Sequence, residues 1–369
     1  MPEFCAEAQS IWPILPFWRW PADFEPSADH GVAMSMNKEA SEGVGVDPML
    51  VHCPVMPDWS KYKGQKVDIS SRRSIQRVEL SCDSNLVVDF FYHDGQFWRA
   101  VIPVDGVREV YGQAFNFSEM RTRVTKEGRK VVLDRRGLPK RKIPIAYHVQ
   151  TRFSMAPSKP VRLYPLGTEE FGAPNHEVAE WVYTIEANGP VGWEFSIRNG
   201  MGGHLLSVHR FMSMEDMVFE RIAVENQYVT ESPPLPIDDQ QKQELLRRSV
   251  ARGTTAGMTE RYILLSCWGT NNCTSNPFRI LDEVLKYRLR HRLGALFFRL
   301  PIAPRLYLRM RGLDVDPQTF KLVREEFAEF IERPEIKKRK RTYVREVIRQ
   351  RRLALGQDKG SKRETSRES

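Results

Sequence analysis

Residues 267–282 read CWGTNNCTSNPFRILD. Small polar residues lead into Asn276 and Pro277, after which Phe278, Leu281, Val284, Leu285 and Leu289 recur at helical spacing. Asn276 suits an N-cap, and Pro277 suits the first helical position, where its missing N–H is no loss. The stretch therefore predicts a helix starting just after Cys273. Unpaired N–H groups and the helix dipole favour a thiolate at that place. Nucleophiles occupy such positions, and so do buried, inert cysteines.

Upstream the pattern is β. NLVVDFFYHDGQFWRAVIPV (85–104) is two β-rich runs around His93-Asp94-Gly95, a hairpin signal. GRKVVLDRRGLPKRK (128–142) adds a strand and a basic turn, and KIPIAYHVQTRFSM (142–155) and EWVYTIEA (180–187) add two more strands. GWEFSIRNGMGGHLLSVHRF (192–211) continues the sheet through Gly-rich turns. IDDQQKQELLRRSVARG (237–253) reads as a helix closed near Gly253, and PQTFKLVREEFAEFIERP (317–334) as another, opened by Asp316-Pro317. The expected class is α+β: an irregular leader over 1–60, a β-rich region over 61–140, a domain over 141–311, and a helical, basic extension with a disordered tail over 312–369.

At 41% hydrophobic and 10% aromatic, the chain buries a real core. No apolar run approaches the ~20 residues needed to span a bilayer. No basic segment leads into an apolar stretch at the amino terminus, so the expectation is a cytoplasmic or membrane-peripheral protein. The five cysteines form no CxxC pair and have no histidines at zinc spacing. Reduced thiols, no metal and no cofactor are expected.

The net charge of +9 is uneven: residues 271–369 hold 25 Lys/Arg and 13 Asp/Glu, a net of +12, which leaves −3 for the rest. One basic cluster, with Arg288, Arg290 and Arg292, lies in a Leu- and Phe-rich stretch. The other, over 337–352, begins Lys337, Lys338, Arg339, Lys340, Arg341. An anionic membrane surface is the expected partner of 290–311 and 337–352, with non-specific nucleic acid second. A packed apolar stripe with solvated arginines is the plainer reading of the same pattern.

A thiol nucleophile needs a base within hydrogen-bond reach and a group to orient that base. His148 shares a strand face with Ala146 and Gln150, and Val182, Thr184 and Glu186 share a face of the next strand. Paired strands would bring Glu186 beside His148. Pattern alone favours the ordinary readings, a packed or surface strand histidine and a solvated strand-end acid. His204 and His209, five apart, face opposite sides of a strand and make poor joint metal ligands.

GTNNCTSNPFRILD resembles the cysteine motif of the family named for the amino-terminal periplasmic domain of Lnb, a bacterial lipoprotein N-acyltransferase. AYHVQTRFSM resembles its histidine motif, YTIEA its strand ending in an acid, and MEDMVFERI its Asp and Arg five apart. The likeness is collinear over about 140–285. The segment around Asn188 departs from the family, as do the extra residue before Phe153 and residues 191–210. The resemblance implies a permuted papain-like core and a cysteine-dependent acyltransferase or hydrolase acting on a lipid or lipoprotein acyl group. In it Cys273 is the nucleophile, His148 the base and Glu186 its orienting acid. Asn272 and Thr274 would support the oxyanion, and Asp216 and Arg221 would lie on the substrate side. It also implies export, which is typical of the family. A cysteine peptidase or amidase shares the same thioester route. A non-catalytic protein that binds anionic membrane or nucleic acid is the alternative of a different class.

Overall fold

The computed structural model describes residues 55–354, less 79–84, 127, 135–138, 144–145, 194, 196, 265–269, 289–290, 292–303 and 314–318. Most of the expected leader, the carboxy-terminal tail, Cys267, Arg290 and Arg292 therefore lie outside the described residues.

The hairpin around Asp94 forms as expected. Asp94 and Gly95 adopt φ of 47° and 79°, the left-handed pair that a two-residue hairpin turn requires. They join β2 (Asn85–His93) to β3 (Gln96–Pro103). With β1 (Gln76–Val78), β4 (Val107–Asn116), β7 (Tyr147–Met155), β8 (Val161–Tyr164), β9 (His176–Val178), β10 (Glu180–Asn188) and β11 (Leu205–Ser213), these belong to a 12-stranded sheet. Its order is β14-β12-β4-β7-β10-β11-β2-β3-β8-β9, with β1 on β2 and β13 on β11. The short members are β12 (Thr230–Glu231), β13 (Arg261–Tyr262) and β14 (Lys321–Leu322), while β5 (Thr122–Thr125) and β6 (Gly128–Val131) form a separate ribbon. Pairing is antiparallel except at Met212↔Tyr92, between β11 and β2. Strands from the 61–140 region, the 141–311 region and the extension interleave in this one sheet, within one compact unit over Cys53–Ser369. The class is α+β.

The central strands are buried on both faces, and alternation sorts their side chains. One face carries Val149, Phe153, Trp181, Tyr183, Ile185 and Phe211. It is covered by α3 (Asp239–Ala256) and α4 (Ser275–Val284). The other face carries Val182 and Met212 beside a polar set including His148, Thr184, Glu186 and Arg210. It is covered by α2 (Met214–Met217), which follows the short α1 (Ile197–Met201) along the chain, the π turn Val218–Val224, and the helices of the extension.

Three local expectations are corrected. Helix α3, opened by an Asp238–Gln241 capping box, runs past Gly253 to Ala256. Gly253 instead allows close approach to the sheet, because a Cβ there would lie 2.7 Å from Ile75 Cγ1. Within 317–334 the continuous helix is replaced by β14 and two short helices, α6 (Val323–Glu326) and α7 (Ala328–Glu332). Pairing with Thr230 and Glu231 takes Leu322 and Lys321 into the sheet. Helix α5 (Pro304–Met310) precedes them, and α8 (Pro334–Ala354) is the expected basic helix. Finally, Asn276 lies inside α4. The residue that caps α4 is Asn272, whose Oδ1 accepts from Thr274 N and Ser275 N, each at 2.8 Å.

Candidate active site

The β7–β10 ladder ends at Gln150↔Thr184, although β10 stays paired with β11 as far as Asn188↔Leu206. The amino end of β7 is thereby freed on its β10 side, and Cys273 occupies that side. Its Sγ lies 3.8 Å from the carbonyl oxygen of Tyr147, while the backbone N–H of Val149 also points to it. These groups flank His148 along the strand. Tyr262 on β13 donates its hydroxyl to the sulfur at 3.4 Å. Cys273 is fully buried. Burial pushes the thiol above its ordinary pKa, and the bonds from Tyr262, Val149 and Thr274 only partly offset it. The helix terminus does not produce the expected thiolate, because desolvation outweighs the dipole.

His148 is buried too. Its ring stacks on Phe115 at 4.7 Å between centroids, and Nε2 shares a hydrogen bond with Thr184 Oγ1 at 2.7 Å. Burial, then the Arg221 charge, lower its pKa to about 3, so the ring is neutral. No hydrogen bond joins His148 to Cys273 among the described residues.

Glu186 serves the guanidiniums. Its Oε1 accepts from Arg210 at 2.9 Å and Arg221 at 2.5 Å, and Oε2 lies 3.1 Å from Arg72 Nε. Burial alone would raise the Glu186 pKa, but Arg210, Arg221 and Arg72 hold it well below the usual carboxylate range. Arg210 also makes a two-pronged contact with Glu220, at 3.1 and 3.0 Å, and Arg221 bonds Glu225 at 2.8 Å. Three cations thus meet three carboxylates. The expected Glu186–His148 bond is replaced by Thr184–His148, and Arg221 acts on the imidazole only through its field.

The other expected site residues separate. The Asn272 side chain caps α4 and donates Nδ2 to Leu264 O at 2.8 Å, so its amide is committed to the fold. Thr274 donates its N–H to that cap and its hydroxyl to Tyr147 O at 3.4 Å. Asp216 lies in another cluster, where it accepts from Asp94 N at 2.6 Å, Ser213 Oγ at 2.9 Å and Arg339 at 2.5 Å. Thr184, Arg72, Arg210 and Tyr262 were missed as site residues. The signal for Arg210 was a His-Arg pair in an otherwise largely apolar nine-residue strand, and Tyr262 stood in the aromatic run before the cysteine.

On the apolar face a cavity has Val149, whose N–H faces the thiol, in its lining. Its volume is about 40 Å³, partly open to solvent, and Leu245, Pro277, Phe278, Leu281 and Leu308 also line it. That is far below the ~300–1,000 Å³ typical of small-ligand clefts. No group of three or more potential metal ligands occurs among the described residues.

Comparison of the chain with family models, with curated proteins and with solved structures finds no match.

Proposed function

We propose that the chain is a cysteine-dependent acyltransferase or hydrolase of permuted papain-like type, acting on a lipid or lipoprotein acyl group. The observation that carries this reading is the seat of Cys273. Its sulfur lies at a helix start, in the split between two strands, flanked by the backbone on either side of His148. The choice of an acyl group as the one transferred follows from the motif resemblance.

In this reading the resting pair is a neutral thiol and a neutral imidazole. As the sulfur bonds to the carbonyl carbon, its proton passes to His148. The backbone N–H groups of Val149 and Cys273, both directed at the sulfur, receive the oxyanion. The intermediate collapses to a thioester, the C–O or C–N bond breaks, and the leaving group takes the proton from His148. An amine or water then attacks the thioester by the reverse path. Glu186 holds the arginine frame around the imidazole. Substrate must open the thiol's cover, because both reactive groups are buried.

A second reading has its own observation. Complete burial and a raised thiol pKa are what a structural cysteine in a non-catalytic scaffold shows. Hydrolysis of chromogenic acyl esters of increasing chain length separates the two. The enzyme reading predicts kcat/KM rising with chain length and with pH beyond the ordinary thiol value of about 8.5. It also predicts loss of activity in both Cys273→Ala and His148→Ala while their circular dichroism is retained. Activity unchanged in Cys273→Ala, or none in the wild type, favours the scaffold.

A further inference from the structure

We propose that the outward face of α8 docks on an anionic phospholipid bilayer surface. This stands whether or not Cys273 is a nucleophile. The inward side of α8 is marked by Ile336, Arg339 and Tyr343 at spacings of three and four. Ile336 is buried, the Arg339 guanidinium lies over the Phe219 ring at 4.2 Å, and Tyr343 meets that ring edge-on at 6.0 Å. Arg339 also bonds Asp216 and so belongs to the core side of the helix.

The opposite side is different. Lys337, Lys338, Lys340, Arg341 and Arg345 are exposed. Among the described residues no carboxylate pairs with Lys338, Lys340, Arg341 or Arg345, whereas Lys337 pairs with Glu332 and Arg349 with Glu346. Val344 and Ile348 are 37% and 45% exposed among these cations. Lys337, Arg341, Val344 and Ile348 recur at helical spacing and form one stripe, with Lys340 and Arg345 on its flanks. A polyphosphate backbone would use the cations and leave the two aliphatic side chains in water. The outward stripe itself carries no aromatic ring for base stacking, and Tyr343, 38% exposed, turns its ring edge-on to Phe219. A headgroup layer uses both features, the cations on phosphates and the aliphatic pair at the acyl boundary.

The test is co-sedimentation of the full chain with vesicles of phosphatidylcholine alone or mixed with phosphatidylserine. Binding is expected to the mixed vesicles and to weaken with salt. Removing the apolar pair by Val344→Ser with Ile348→Ser weakens it about tenfold or more. Lys340→Gln, Arg341→Gln and Arg345→Gln each weaken it about fivefold. These exposed positions leave the thermal melt unchanged. The proposal is overturned if the chain stays in the supernatant with mixed vesicles, or if the apolar double variant binds them like wild type. Retention on random-sequence RNA, indifferent to that double variant and without vesicle binding, assigns the face to nucleic acid instead.

Discussion

Trp181, Tyr183 and Ile185 point to one face of β10, and Val182, Thr184 and Glu186 to the other. All six β10 side chains are buried, although Arg72 and Glu225, which join the second face, are each about one-third exposed. The first is filled by stacked rings, with Trp181 and Phe153 4.4 Å apart and nearly parallel, under α3 and α4. The second holds three arginines and three carboxylates, each satisfied chiefly by the others. The apolar face gains from every methylene it hides and tolerates some change of shape. The charged face gains little net free energy, but loss of one member leaves its partners buried and unpaired. It therefore specifies an arrangement more than it adds stability, and His148 and the split that seats Cys273 lie within that arrangement.

The sharpest way to break the contrast is Glu186→Ala, which removes the carboxylate shared by Arg72, Arg210 and Arg221 and leaves Arg210 with Glu220 and Arg221 with Glu225 alone. A loss of about 3–5 kcal/mol in a urea melt is expected. A loss below about 1 kcal/mol would mean that the network is hydrated enough to absorb the lost carboxylate.

Acid sharpens it next, because each face buries one histidine whose pKa is lowered to about 3, His148 on the charged side and His209 on the ring side. Burial is the first cause for both. The unfolded chain binds these protons near pH 6.5 and the folded chain does not, so stability is full above that value and falls as pH drops. Each histidine is expected to remove about 2 kcal/mol between pH 7 and pH 5. His148→Gln and His209→Gln should each abolish about half of that slope. A slope untouched by either variant would assign acid loss to the carboxylates.

The smallest effect probes the cap. Asn272→Ala removes the acceptor for two N–H groups and a donor to Leu264 O, and is expected to lower stability by about 1–2 kcal/mol. The same change leaves acyl transfer intact if Asn272 is a cap, and abolishes it if its amide serves the oxyanion.

Much of this was legible beforehand, for identifiable reasons. Asp94-Gly95 between alternating runs has one economical conformation, and the structure adopts it. The strand containing His148, that containing Glu186, and the helices after Asp238 and Cys273 follow from periodicity. Their shared face was readable from alternation. What neighbours that face was not: Arg72 comes from before the first strand, Arg210 from β11 and Arg221 from the π turn, and no local pattern announces a meeting of three distant segments. Asn272 and Asn276 are both good caps, and which of them caps α4 depends on where Leu264 O lies. The 317–334 stretch has a helical pattern, but pairing with β12 overrides it at Lys321–Leu322.

The central claim is that Cys273 carries an acyl group with His148 as its base. Its most direct test is peptide mapping by mass spectrometry after brief incubation with a long-chain acyl thioester donor, in wild type and in His148→Gln. The account predicts an acyl adduct on Cys273 that neutral hydroxylamine releases and that fails to form at a comparable rate in His148→Gln. An unmodified Cys273 in the folded wild type, or an adduct forming equally fast without His148, would contradict it.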